Sequence, residues 1–156
     1  MKHSTPALII VAGLLFASIT AAIVRATASE PWSDAQTVQP AQFAAELQQE
    51  KDPFPVVIYV GVKALYEGGH IPGAKYFGPG STEEGTAVLK KYAATLPKNS
   101  DVVLYCGCCP LEKCPNLRPA FVALKDFGLA RLRVLILPQN FNTDWVEKGY
   151  PVKKGN

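Results

Sequence analysis

Three short apolar runs constrain this chain more than any other feature. They are Val56-Val57-Ile58-Tyr59-Val60, Val102-Val103-Leu104-Tyr105, and residues 132–137, the last interrupted only by Arg133. A strand with one wet face alternates apolar and polar residues, whereas an unbroken run marks a strand covered on both faces, as in a parallel sheet. Helical patterns separate the runs. Pro40 opens one over 41–49, with Phe43, Ala44 and Leu47 on one face. A second spans 82–96: Thr82 is the N-cap, Glu83 and Glu84 occupy the first turn, and Val88, Leu89, Tyr92 and Leu96 form the apolar face. A third spans 118–127, with Pro119 in its first turn and Gly128 at its stop. Residues 140–148 read as a closing helix stopped by Gly149, and 75–77 as a short strand. This alternation predicts an α/β domain with a central, mainly parallel sheet flanked by helices.

The chain has 156 residues, 48% of them apolar, enough for one domain with a real core. Not all of it belongs to that domain. Residues 4–24 carry no charge, Ala7 to Phe16 is almost wholly aliphatic, and Ala26-Thr27-Ala28 follows Arg25 as a small-x-small site. Residues 1–28 therefore read as a signal peptide cleaved after Ala28, with an uncleaved membrane anchor as the alternative. Both readings export the domain to a periplasmic or secreted setting. Residues 29–37, polar and containing Pro31, read as a linker, and 38–153 as the domain. Setting aside Lys2 and Arg25 leaves 14 basic against 13 acidic residues. A balance so near neutral excludes nucleic acid as a partner and leaves the N-terminal segment as the only membrane contact.

The cysteines carry the chemistry. Cys106, Cys108, Cys109 and Cys114 all fall within nine residues, too close together to staple a fold. They follow directly on the second apolar run and precede the third helix. Ligands of open parallel sheets bind beyond the carboxyl ends of strands. A helix N-terminus nearby stabilises thiolates and anions.

Several segments resemble the rhodanese-like, or sulfurtransferase, family. They are Gly69-His70-Ile71-Pro72-Gly73-Ala74, Val102-Val103-Leu104-Tyr105-Cys106, Arg118-Pro119-Ala120-Phe121-Val122-Ala123-Leu124 before Gly128, and Trp145 with Gly149-Tyr150-Pro151-Val152. The resemblance covers about 38–153. It implies a rhodanese-like three-layer fold and a catalytic Cys106 whose thiolate takes sulfur from a small anionic donor as a persulfide. The sulfur then passes to a thiol or other nucleophilic acceptor. In this reading the N–H groups of the 107–116 loop, from Gly107 to Asn116, cradle the anion. Arg118 and Lys113 attract it, and no organic cofactor is required. The chain departs from the family at two places. Eleven residues separate Cys106 from Arg118, with Pro110 and Pro115 between them, and Tyr59 and Gly61 stand where the family tends to show an aspartate and an arginine. A phosphatase sharing this fold is disfavoured, because position 112, where its arginine belongs, is Glu.

The other three thiols admit further readings. Cys108, Cys109 or Cys114 can resolve an intermediate on Cys106, which makes a thiol-disulfide redox protein the alternative. Cys114 can pair with Cys108 or Cys109 as a staple. The loop can also serve as a non-catalytic module that holds a partner or a soft metal such as Zn(II) or Cu(I), although four ligands from so short a loop strain a tetrahedron. No metal ligand is therefore assigned from sequence. His70, Trp145 and Tyr150 read as structural, and Trp32 as part of the linker.

Overall fold

The computed structural model describes residues 29–49 and 53–155, so the 1–28 signal or anchor segment lies outside the described residues. Five strands form one all-parallel sheet: β1 (Thr37–Val38), β2 (Val56–Tyr59), β3 (Lys75–Tyr76), β4 (Asp101–Tyr105) and β5 (Arg131–Leu135), in the order β1-β5-β4-β2-β3. Four helices connect them: α1 (Pro40–Gln48), α2 (Lys63–Gly68), α3 (Glu83–Ala93) and α4 (Leu117–Lys125).

The apolar runs became the centre of the sheet because both of their faces are covered. Alternate residues of β4 point to opposite sides. Val102 and Leu104 join Leu89 and Ala93 of α3 and Leu117, Phe121 and Leu124 of α4 on one face. Val103 and Tyr105 join Phe43 and Ala44 of α1, Tyr66 of α2, and Trp145 on the other. The result is helix, sheet, helix.

Register positions the site. Val56 pairs with Val102 and Tyr59 with Tyr105, so the carboxyl ends of β2 and β4 are level. The backbone continues the match one step further, since Val60 N–H donates to Tyr105 C=O at 3.0 Å. Gly61 and Cys106 therefore leave the sheet side by side. Gly80 N–H in turn donates to Val60 C=O at 3.0 Å, which brings the loop before α3 to the same edge.

Three expectations are corrected. Residues 29–37 are not a free linker. Trp32 is only 8% exposed and packs edge-on against Phe121 with ring centroids 5.3 Å apart, while Thr37 begins β1 and pairs with Val134 of β5. The polar composition of that stretch hid one large aromatic anchor. In α3, Val88 faces solvent, and Gly85, Leu89 and Ala93 are the buried stripe. Residues 140–148 form one wide π-helical turn, Asn142–Val146, instead of a regular helix. Glu147 N–H reaches back to Asn142 C=O at 2.8 Å, and Asp144 Oδ2 accepts from Gln139 and Asn140 N–H. The wide turn lets Phe141 and Trp145 both face the sheet, with rings nearly parallel and centroids 6.1 Å apart.

At the other end of the sheet, Arg133 donates to both Asp101 oxygens and to Glu46, which accounts for the one charge inside the third apolar run.

Because residues 29–37 are part of the fold, Trp32→Ala should lower unfolding stability by about 3 kcal/mol, the usual scale for removing a buried aromatic. Urea denaturation reads this, and an unchanged midpoint would return residues 29–37 to the status of a linker.

Candidate active site

The site is the loop between β4 and α4. Its path is set at Gly107, which takes φ +73, a left-handed conformation that favours glycine. A Cβ there would lie 2.7 Å from Phe141 Cβ. Gly107 C=O accepts from Phe141 N–H at 2.9 Å, so the loop is pinned to the closing turn. Gly107 thus serves the site by close packing. A short 3₁₀ turn, Leu111–Lys113, then carries the chain back toward the sheet.

That return brings three of the four sulfurs together. The Sγ atoms of Cys106, Cys108 and Cys114 all lie within 4.8 Å of one another, and Cys106 and Cys108 are 3.1 Å apart. Cys109 touches Cys108 at 3.4 Å but stands outside that group. Cys106 and Cys114 are buried, at 2% and 4% exposure, and Cys108 is half-buried. All four thiols are free of disulfides.

Asn116 fixes the cluster. Its side chain is buried, and its Nδ2 donates to Cys106 Sγ at 3.6 Å and to Cys108 Sγ at 3.7 Å. Its Oδ1 accepts from Ser81 Oγ at 2.7 Å and from Ser81 N–H at 3.2 Å. The carboxamide therefore ties the sulfurs to the loop before α3. The sequence places Asn116 at the site as a backbone donor, and the structure adds its side chain to that role.

Hydrogen bonding favours the thiolate form at Cys114. Cys106 Sγ lies within 4.8 Å of Cys114 Sγ, and that neighbouring thiol and the backbone N–H groups of Asn116 and Leu117, at the start of α4, favour the charged form of Cys114. Together these outweigh burial and hold Cys114 down to about 5. Cys106 is raised correspondingly, by its hydrogen bond to Cys114, by burial and by the neighbouring charge. Cys109 is pushed up to about 12 by burial and by Cys108.

This changes the expected anion cradle. The N–H groups of Leu111, Lys113 and Cys114 donate to carbonyls, and those of Asn116 and Leu117 serve Cys114 sulfur. Of the loop's donors, Cys108 N–H serves Cys106 sulfur. Arg118 also turns away from the sulfurs. Its Nη1 donates to Cys114 C=O at 3.1 Å and Leu111 C=O at 3.3 Å, and its Nη2 pairs with Glu30. It braces the outside of the loop. Lys113 is exposed on the same turn.

Two neighbours come from other loops. Tyr59 ends β2 beside the cluster, its hydroxyl donating to Val62 C=O at 3.3 Å, and burial, then the nearby cysteine charge, raise its phenol. Gly61 follows, and a Cβ there would collide with the Tyr59 ring and come within 3.1 Å of Cys106 Sγ. His70 is structural, with Nδ1 2.8 Å from Tyr66 C=O and its ring stacked on Tyr66. Outside the cluster lies a groove of about 390 Å³, lined by Tyr59, Leu65, Gly107, Cys108, Phe141 and Val146, with Lys154 on its wall.

No protein-family profile and no curated protein sequence matches the chain. Solved structures do match. The rhodanese-like domain of the Alr3790 protein from Anabaena is similar with a TM-score of 0.54 at 18% identity, over 76% of this chain and 79% of that one. A rhodanese-like domain protein from Staphylococcus aureus gives 0.52 at 13% identity, over 76% of this chain and 99% of that one. The chain has the rhodanese-like fold. Thiosulfate sulfurtransferase from Pseudomonas aeruginosa matches at 0.55 and 22% identity, over 81% of this chain and 20% of that longer one. Within the rhodanese-like fold, the cysteine loop occupies the carboxyl edge of the central strand, where the fold's geometry leaves a ligand room.

The reduced protein should therefore retain one thiolate in its ultraviolet absorbance down to about pH 5 and lose it below as Cys114 takes a proton. Cys114→Ser should remove that step. A first thiolate appearing only near the ordinary thiol range, at about pH 8.5, would contradict the assignment.

Proposed function

We propose that this chain is a sulfurtransferase-like protein that carries sulfane sulfur as a persulfide on Cys106. The convergence of Cys106, Cys108 and Cys114 at the carboxyl edge of β4, in a rhodanese-like fold, carries this reading. Cys106 loses its proton to solvent through the loop's thiols as its sulfur attacks the outer sulfur of the donor. With thiosulfate the new S–S bond forms on Cys106, the donor's own S–S bond breaks, and sulfite leaves with the electron pair. An acceptor thiolate then attacks the outer sulfur of the persulfide, takes it, and restores Cys106.

Lys113 on the loop and Lys154 on the groove wall offer positive charge to a small anionic donor. The groove, open beside Cys108, gives a thiol acceptor its way in. Cys108 also supplies a second outcome. At 3.1 Å from Cys106 its thiol can attack the inner sulfur, closing a Cys106–Cys108 disulfide and releasing hydrosulfide. That geometry favours thiol-disulfide exchange as the second reading. An exported setting, with residues 1–28 as signal or anchor, belongs to the same proposal and rests on the sequence of that segment.

Intact-mass measurement of reduced protein after brief thiosulfate treatment tests this. The expected result is a gain of about 32 Da, one sulfur atom, that is absent in Cys106→Ser and longer-lived in Cys108→Ser. A gain that survives in Cys106→Ser, or no gain in folded wild type, overturns the reading.

A further inference from the structure

The same three sulfurs have the shape of a soft-metal site, a use that is independent of sulfur transfer. From their geometry we infer that Cys106, Cys108 and Cys114 bind one Cu(I) ion in a three-sulfur site.

Ligand count and spacing both fit such an ion. Metal–sulfur bonds of about 2.3 Å in a trigonal plane put the sulfurs roughly 4 Å apart. The Cys106–Cys108 separation is 3.1 Å and the whole set lies within 4.8 Å, so the sulfurs bracket that spacing and need only small rotations to close on an ion. No histidine or carboxylate joins the group among the described residues. Cys109 stands outside it. The Tyr59 hydroxyl is engaged with Val62 C=O. Three thiolates without a fourth protein ligand would need a water to complete a Zn(II) tetrahedron, whereas they fill the trigonal shell of soft Cu(I) by themselves.

The surroundings agree. Beneath the loop lies a cavity of about 10 Å³, walled by Cys106, Cys109 and Cys114 with Leu111, Leu117 and Leu137. It is near the lower limit for a single water, and that wall offers a water no oxygen or nitrogen side-chain partner. The space borders the sulfurs of Cys106 and Cys114. Outside the ligand set, Asn116 Nδ2 already donates to Cys106 and Cys108 sulfur, and Ser81 holds the other end of its carboxamide. Such second-layer hydrogen bonds orient ligands, and their loss typically weakens metal affinity about 10- to 100-fold. Each thiol that coordinates gives its proton to solvent, and the copper remains Cu(I) throughout.

The test uses the reduced full chain under anaerobic conditions, titrated with Cu(I) against a chromophoric Cu(I) chelator. One ion per chain is expected. Affinity should fall at least tenfold in Cys106→Ser, Cys108→Ser and Cys114→Ser, with Cys109→Ser unchanged. Circular dichroism checks that each variant is folded. X-ray absorption of the wild-type copper complex gives a reading that needs no variant, and it should show three sulfur neighbours. Failure to compete with the chelator, a loss confined to Cys109→Ser, two or four sulfur neighbours, or Zn(II) that Cu(I) does not displace would each overturn the inference.

Discussion

The Asn116 carboxamide is the interaction on which the site depends. It is buried, and both of its ends are used. Oδ1 takes two hydrogen bonds from Ser81, and Nδ2 gives one each to Cys106 and Cys108. An amide buried without partners costs several kcal/mol by roughly the water-to-hydrocarbon scale, so this group commits the chain to one arrangement of its surroundings. Gly80 makes the approach possible, since a side chain there would collide with Asn116 C=O. Asn116 also stands at the start of α4, where its own N–H faces Cys114 sulfur. One residue therefore joins the loop before α3, the end of β4 and the beginning of α4.

Charge placement follows from that arrangement. A parallel sheet sends its connecting helices away from the carboxyl edge with their N-termini at that edge, and α4 offers its first N–H groups to whatever lies there. In this chain the long loop folds back and places Cys114 at the spot. The helix end thus stabilises a thiolate of the protein, and Arg118 is released to brace the loop's carbonyls. The long loop thereby brings a cluster of sulfurs to the end of β4.

Much of the fold was legible in the sequence, for reasons visible at particular residues. β2 and β4 announce themselves because burial on both faces removes polar residues from Val56 to Val60 and from Val102 to Tyr105. The place of Cys106 follows from the end of that run. Residues 29–37 misled because a single aromatic, Trp32, outweighs a polar composition once Phe121 lies beneath it. Residues 140–148 carry a helical pattern, but Asp144 caps the turn locally and Trp145 and Phe141 must both reach the sheet, which widens the turn. Within the site, spacing showed which residues are near Cys106 but not which way they point. Arg118 faces outward and Asn116 inward, and only tertiary packing decides that. Tyr59 and Gly61 arrive from the end of β2, and Ser81 from the loop before α3. The one sequence signal for the first two was that they stand where similar chains tend to show charged residues.

The central claim is that the folded, reduced loop gathers its sulfurs around Cys106 so that this residue takes up the transferred atom. A crystal structure of the reduced protein after exposure to a sulfane donor tests it most directly. The account predicts additional electron density for one sulfur on Cys106 Sγ, with Asn116 Nδ2 and Cys108 and Cys114 Sγ around it. Extra sulfur on Cys108, Cys109 or Cys114 alone, or cysteine side chains splayed away from Cys106 in the reduced protein, would contradict it.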